Sequence, residues 1–385
     1  MTNKLPDKWE EKTLGHFFEF QSKSGRKAGE GSTSGKYKFF TSSDIQKKFI
    51  DTYDYDGEFL IFGTGGGASI HYCNDKFSTS TDCFTVKVKE GLRTKYAYYF
   101  MRASMHLLEA GFHGAGLKHV SKDHIKEMKV RFPTSTKTQD RIIALLEKAE
   151  QIKNWRKEAN GLSKDYLNSV FNEMFGNPIR NTKKWDLKIL PQFVSKNKNS
   201  MKRGPFGGSL KKEIFVNEGY LVYEQRHAIH NDFKFARYYI NEEKYKELEM
   251  FKVEPGDLII SCSGVTLGRI AEIPLGAKKG IINQALLKIT LDKDIMNNEF
   301  FKFIFRSPNM QSILFGISRG SGIPNFPSMD DVKSVKFIAP PIDLQNKFAK
   351  IAHKIYLLND LQETSKTESD NLFDSLMQKA FRGEL

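Results

Sequence analysis

Residues 62–70 read FGTGGGASI, with four glycines among positions 63–67, directly after the apolar run Phe59-Leu60-Ile61-Phe62. A glycine-rich turn behind a strand can bring several amides close to a phosphate or a nucleoside. Three chemistries use such a turn. A P-loop closes with lysine and Ser or Thr, so that the ammonium reaches the phosphates; here Ala68-Ser69-Ile70 follows Gly67. A dinucleotide loop opens a helix whose N-terminus faces the pyrophosphate. The stretch SIHYCNDKFSTSTDCFTVKV reads instead as strand and turn. An adenosylmethionine loop is approached by Phe62-Gly63-Thr64-Gly65-Gly66, but methylation of a DNA amino group also uses an Asn/Asp-Pro-Pro-aromatic tetrad. The nearest match, APPI at 339–342, lacks both ends. The glycines are therefore expected to serve a tight turn or a close backbone approach, with no cofactor.

Other reactive side chains are sparse. Cys73, Cys83 and Cys262 form no Cys-x-x-Cys pair, which argues against a zinc knuckle or a disulfide framework. His71 beside Cys73 is too little for a metal site, so neither metal nor catalytic constellation is expected. The chain of 385 residues has room for two or three domains. Its net charge of +14 points toward a polyanion, with nucleic acid the first candidate. The start, MTNKLPDKWEEK, lacks the apolar core of a signal peptide, and no apolar run approaches the ~20 residues of a membrane span. A reducing cytoplasm is expected.

The elements that must position the loop come in duplicate. Gly116 and Gly322, Gln139 and Gln345, Ser169 and Ser375, and Phe175 and Phe381 all stand 206 positions apart. Upstream, YDGEFLIFGTGGGASI answers to EPGDLIISCSGVTLGRI at 254–270, and Trp9 answers to Trp185. Each half has a β-rich part followed by a long helical stretch, from about Thr136 to Phe175 and from about Asp343 to Phe381. Thr136 and Gln139 have capping-box spacing. Apolar residues recur at Ile142, Leu145, Ala149, Ile152, Leu162, Tyr166, Val170 and Met174. In the second stretch they recur at Leu344, Phe348, Ile351, Ile355, Leu358, Leu361, Leu372, Leu376 and Ala380. Forty residues span roughly 60 Å if unbroken. Asn160-Gly161 and TSKTESD suggest a break near each midpoint. The seams exceed what a small β-rich domain could cover, so the helices are expected to pair with each other.

In this order, four motifs resemble the specificity subunit of type I restriction-modification systems: GPFGGSLKK at 204–212, EPGDLIISCSGVTLGRI at 254–270, GSGIPNFPSMDDVKSVKFIAPPIDLQ at 320–345 and QKAFRGEL at 378–385. The resemblance covers essentially the whole chain. The first half fits less closely: FPTSTKTQ stands where APPIDLQ stands later, and no GPFG precedes it. The resemblance implies an α+β protein. Two β-rich target-recognition domains, 1–135 and 177–342, would be separated by two long helices, 136–176 and 343–385, in an antiparallel coiled coil with pseudo-two-fold repeat. Each domain would read one part of a bipartite DNA site. Two modification subunits would dock on the helices and supply the adenine methyltransferase, restriction subunits would join them, and the specificity subunit would do no chemistry itself.

On that basis lysines and arginines contact double-stranded DNA through phosphates, and polar side chains read base edges. The basic candidates are Lys36, Lys38, Lys47, Arg203, Lys211, Lys212 and Arg269. The base-edge candidates are Gln225, Arg226, His227, Arg319 and Asn325 in the second domain and Ser42, Ser43, Asp44 and Gln46 in the first. Because the halves differ, the target should be asymmetric, with helix length setting its spacer. Two other functions remain open from sequence: an autonomous DNA modification enzyme using Gly63–Gly67, and a coiled-coil interaction scaffold.

Overall fold

The computed structural model describes residues 6–316 and 326–385. Contacts divide the chain into two compact units, Met1–Asn160 with Leu361–Leu385, and Gly161–Asp360. The division runs through both long helices, so the first unit is assembled from two separate stretches of sequence and the second from one continuous stretch.

In the first unit a six-stranded sheet has the spatial order Phe18–Phe20, Cys83–Val88, Tyr55–Gly63, Ser69–Thr79, Tyr37–Phe40, Lys48–Ile50. Its centre is an antiparallel hairpin paired from Tyr55↔Phe77 to Gly63↔Ser69. Leu60 and Phe62 enter the core beneath the helix Thr94–Ala103, while Phe59 and Ile61 pack with Phe40 and Phe77 on the other face. Burial of both faces explains why this strand reads as an unbroken apolar run rather than an alternation. The second unit builds the same motif from two four-stranded sheets. One holds Met201–Arg203, Leu286–Ile289, Leu258–Ser261 and Ile270–Glu272; the other holds Tyr239–Ile240, Tyr220–Tyr223, Gly280–Ile282 and Lys252–Val253. The helix Asn298–Arg306 is capped by Asn297, whose side chain accepts from Glu299 and Phe300 amides, and it buries Phe300, Phe301, Ile304 and Phe305.

A short antiparallel pair closes each recognition body next to its long helix: Trp9–Thr13 with Lys129–Pro133, and Leu187–Ile189 with Lys336–Ile338. The long helices run Thr136–Phe175 and Ile342–Arg382, each as one helical element. The break expected at Asn160-Gly161 is absent. Glycine costs a helix about 1 kcal/mol but, unlike proline, keeps its amide in the ladder. Gly176 and Gly383, with φ of 72° and 76°, end the two helices.

Within each unit the helices touch. In the first, Lys153 Nζ lies 3.0 Å from Asp370 Oδ1 and over the Phe373 ring. Ile142, Leu146 and Ala149 share a core with Phe373, Met377 and Ala380. In the second, Phe348 meets the rings of Phe171 and Phe175 at 5.3 and 5.7 Å. The start of one helix thus packs on the end of the other, which is antiparallel pairing. Each pair also packs on its own recognition body: Phe171 stacks on Phe303 at 4.6 Å. The buried stripe includes Ile142, Ala149, Phe348, Ile355 and Ala380 as expected but departs from the expectation elsewhere. Leu145, Ile152, Leu162 and Tyr166 are exposed, as are Leu358, Leu361 and Leu372, whereas Ile143, Leu146, Leu167 and Phe171 are buried. Apolar residues occupy more than one face, so period alone could not choose among them.

Gln139 is not a capping-box partner. Ser135 caps the helix, its Oγ accepting from the Thr138 amide at 3.4 Å. Gln139 is fully buried and points into the recognition body. Its Oε1 accepts from the Arg93 amide at 2.7 Å, and its Nε2 donates to Gly91 O and Pro133 O, both at 2.9 Å. Gln345 repeats this with the Asn297 amide at 2.9 Å, Ile295 O at 3.0 Å and Pro340 O at 2.7 Å. The repeated glutamine is a latch between each long helix and its body.

Candidate nucleic-acid interface

The glycine loop lies between two other loops of the first unit. Ser42 Oγ accepts from the Thr64 and Gly65 amides at 3.1 and 3.2 Å and donates to Asp82 O at 2.6 Å. The Gly66 amide donates to Lys118 O at 3.1 Å. Thr64 O accepts from the Val120 amide at 3.2 Å and lies 3.1 Å from His119 Nδ1. Amides already bonded within the protein cannot also hold a phosphate, so a nucleotide cradle built on Thr64, Gly65 and Gly66 is excluded. Gly66, with φ of 84°, makes the turn. Gly63 permits close approach: a Cβ there would come within 2.8 Å of Ser42 Cα. The tightened loops leave Ser43, Asp44 and Lys118 exposed, with Leu117 70% exposed at the tip.

The second unit repeats the plan with longer side chains. In both units the second residue past the equivalent strand, after Phe40 or Tyr223, reaches across to the loop. Here Gln225 Nε2 donates to Ser263 Oγ at 2.9 Å. Its Oε1 is buried without a partner among the described residues. Arg203 is held between the rings of Phe206 and Phe326, at 5.4 and 5.3 Å, with Nη2 3.5 Å from Gln284 O. Gly204 fits only because it lacks a Cβ, which would collide with the Asn283 carbonyl. That collision accounts for the glycine that opens GPFG. Arg203, Gln225, Ser263 and Gln284 thus border one loop cluster, a constellation of rigid donors and acceptors suited to base edges.

The structure redistributes the other candidates. His227 is wholly buried; Nδ1 accepts from the Glu224 amide at 2.9 Å and Nε2 lies 3.1 Å from Phe235 O. It is a core histidine and cannot reach a base. Ser42 Oγ both accepts from and donates within the glycine-loop cluster, and Gln46 Nε2 donates to Lys48 O at 2.5 Å. Arg226 is exposed and stacks over Phe235 at 4.3 Å, 4.0 Å from Asp232. Lys36, Lys38, Lys47, Lys211, Lys212 and Arg269 are exposed. Arg319 and Asn325 lie outside the described residues. Sequence reasoning missed Leu117, Lys118, Ser263 and Gln284; only the repeat, which aligns their loops, could have drawn attention to them.

Cys73, Cys83 and Cys262 are buried free thiols, and burial pushes Cys83 up to about 11 and Cys262 up to about 12. His71 faces Ser43 O at 2.8 Å. Among the described residues no group of three or more His, Cys, Asp or Glu could hold a metal ion, and no helix is long and apolar enough to cross a membrane.

Against known proteins, residues 6–160 and 206–368 each match the type I restriction modification DNA specificity domain. A putative type I specificity subunit of Mycoplasma pneumoniae is 42% identical over 60 residues, 14% of this chain and 16% of that protein. The specificity subunit of the EcoKI type I restriction enzyme of Escherichia coli K12 is 25% identical over 167 residues, 41% of this chain and 35% of that one. The chain therefore spans well under two thirds of either relative. Among solved structures, the S subunit of a type I restriction-modification system from M. genitalium superposes with a TM-score of 0.63 at 16% identity, covering 98% of both chains. A chain from a structure describing complex assembly and conformational transition of a type I system gives 0.57 at 16% identity, covering 99% of this chain and 100% of that one. These likenesses establish the shared fold.

Proposed function

Because the chain belongs to the family of type I restriction-modification DNA specificity domains, we propose that it is the subunit that reads the DNA target for such a system. Each recognition domain, 1–135 and 177–342, reads one half of a bipartite site, and the helical segments 136–176 and 343–385 act as spacer. One observation carries this: equivalent loops in the two units rest on the same backbone plan but present different side chains. Ser43, Asp44 and Lys118 are exposed at the first loop cluster where Gln225, Ser263 and Arg203 stand at the second. Two similar frames with unlike reading edges suit an asymmetric double-stranded target.

The chain contributes recognition and no bond-making step; methyl transfer and cleavage belong to modification and restriction subunits that join it in the cytoplasm. The exposed apolar residues Leu145, Ile152 and Trp155 on the first long helix favour partner docking there. An autonomous modification enzyme is disfavoured, because the loop that would hold its cofactor spends amides on Ser42 and Lys118. Exchanging residues 1–135 for those of a relative, then mapping methylated adenines in the host genome, should change one half of the target. A change in both halves refutes the modular function. Continued methylation by this chain without partner subunits would restore the enzyme alternative.

A further inference from the structure

We propose that the second unit carries a dedicated phosphate seat: a cleft in which Arg269 and Arg306 together hold one DNA backbone phosphate. The proposal rests on the DNA-reading function and assigns part of its affinity to one site. The cleft has a volume of about 460 Å³ and is walled by Val265, residues 267–270, residues 228–231, Arg306, Pro308 and Gln311. No Asp or Glu lines it. Both arginines are exposed, and among the described residues neither forms an ion pair. Arg306 spends one N–H on Ile270 O at 2.9 Å, which fixes its fork at the cleft wall.

The other half of the chain shows what this arrangement departs from. Arg102 stands at the same step of its helix, Thr94–Ala103, as Arg306 does after Asn298. There Glu150 of the long helix neutralises it, Arg102 Nη1 to Glu150 Oε1 at 2.5 Å. The position of Glu150, counted from the repeated glutamine, is Tyr356 in the second half, whose hydroxyl donates to Glu299 at 2.8 Å. The carboxylate that would quench Arg306 has been replaced, and Arg269 adds a second cation. Two uncompensated guanidiniums in a concave site raise the local potential, and their planar forks match phosphate oxygens.

The seat also adjoins the base-edge cluster. One short helix, Gln225–His230, gives Gln225 to the cluster and Ala228–His230 to the cleft. One loop gives Ser263 to the cluster and Val265 with Leu267, Gly268 and Arg269 to the cleft. A phosphate held here would fix the register in which those groups meet the bases.

The test uses the full chain in its native assembly, with the Arg269→Gln/Arg306→Gln double variant and a matching Arg→Lys pair. Binding to the mapped target duplex and to a scrambled duplex is followed by fluorescence anisotropy from about 50 to 200 mM salt. The Gln pair should weaken binding to both duplexes alike and flatten the plot of log K against log salt by about 0.9 per phosphate released. The Lys pair should keep most of the slope. In parallel, inorganic phosphate should raise the melting temperature of the wild type and not of the Gln pair. A wild-type slope in the Gln pair, or an equal phosphate response in both, overturns the seat and leaves DNA reading intact. A wild type that distinguishes neither duplex overturns DNA reading, and the phosphate arm then decides the seat alone.

Discussion

Replacing Gln139 with Ala should destabilise the first unit and spare the second. The substitution removes three hydrogen bonds, to the Arg93 amide, Gly91 O and Pro133 O, from a side chain that is 0% exposed. Each bond contributes about 1 kcal/mol net, and an orphaned buried group costs about 1–3 kcal/mol. Water that enters the vacated volume would recover part of this, so about 3 kcal/mol is expected. For units of this size each kcal/mol moves the melting temperature about 2–4 °C, giving a loss of about 6–12 °C. The assay is urea unfolding followed by tryptophan fluorescence, because Trp9 and Trp155 lie in the first unit and Trp185 in the second. Gln345→Ala should mirror the result in the second unit. Gln139→Glu is a sharper version: one oxygen still accepts from Arg93, but the atom facing Gly91 O and Pro133 O loses its hydrogens. Its loss should match or exceed that of Ala at neutral pH and lessen in acid as the carboxyl regains a proton. A Gln139→Ala loss under about 0.5 kcal/mol, or an equal loss in both units, would refute the latch.

Further expectations concern single sites. Gly204→Ala places a Cβ against the Asn283 carbonyl, so the second half of the target should lose definition in methylation maps while the first half is unaffected. Gln225→Ala should relax discrimination at one base pair by about 1–3 kcal/mol, measured by binding to single-substitution duplexes; uniform weakening across all of them would instead mark Gln225 as structural. Burial alone would raise the Asp54 carboxyl, but the Arg26 guanidinium and Ser24 hydroxyl outweigh it and hold the group below its ordinary 3.8. Its contribution is therefore present above that value and lost as pH falls through the lower folded value. Asp54→Asn should cost about 1 kcal/mol at pH 7 for this part-exposed pair, with the difference in urea midpoints shrinking as pH is lowered from 3.8 through the lower folded value. Truncation after Asp360 removes Phe373 and Met377 from the first core, a loss of about 3–6 kcal/mol, so the first unit should unfold while Trp185 still reports a cooperative transition.

The duplication, the α+β class and the paired helices were legible because period and spacing are local properties of sequence. The halves align on Gln139 and Gln345, whose side chains bind main-chain groups. What stayed hidden depends on contacts between distant residues. Gln139 has the spacing of a capping partner, yet its side chain is recruited by Gly91 and Arg93, almost fifty residues upstream. Ser42 looks like a free polar residue until the hairpin ending at Gly63 arrives beside it. His227 sits in a polar string, EQRHAIHND, but its ring fills the space beside Tyr223 and Phe233. The seam was legible at Ile142, Ala149, Phe348 and Ala380 but not throughout, because Leu145 and Leu146 both satisfy a helical period and packing selects Leu146.

The two units differ in a way that follows from which contacts are made by backbone. Where the repeat uses main-chain donors and acceptors, as at Gln139 and Gln345, the partners can change identity without cost: Arg93 becomes Asn297 and Gly91 becomes Ile295, and the geometry persists. Where it uses side-chain charge, a change on one side demands a change on the other. Lys95 pairs with Glu147 in the first unit, while the residue at the position of Lys95 is Glu299, which faces Tyr356 and Lys302 in the second. The polarity of the seam between body and helix has been rewritten. A first body placed on the second unit's helix would set Arg102 against Tyr356 and lose its carboxylate partner. The frame is therefore common to both halves, while the charges where each body meets its long helix have changed together.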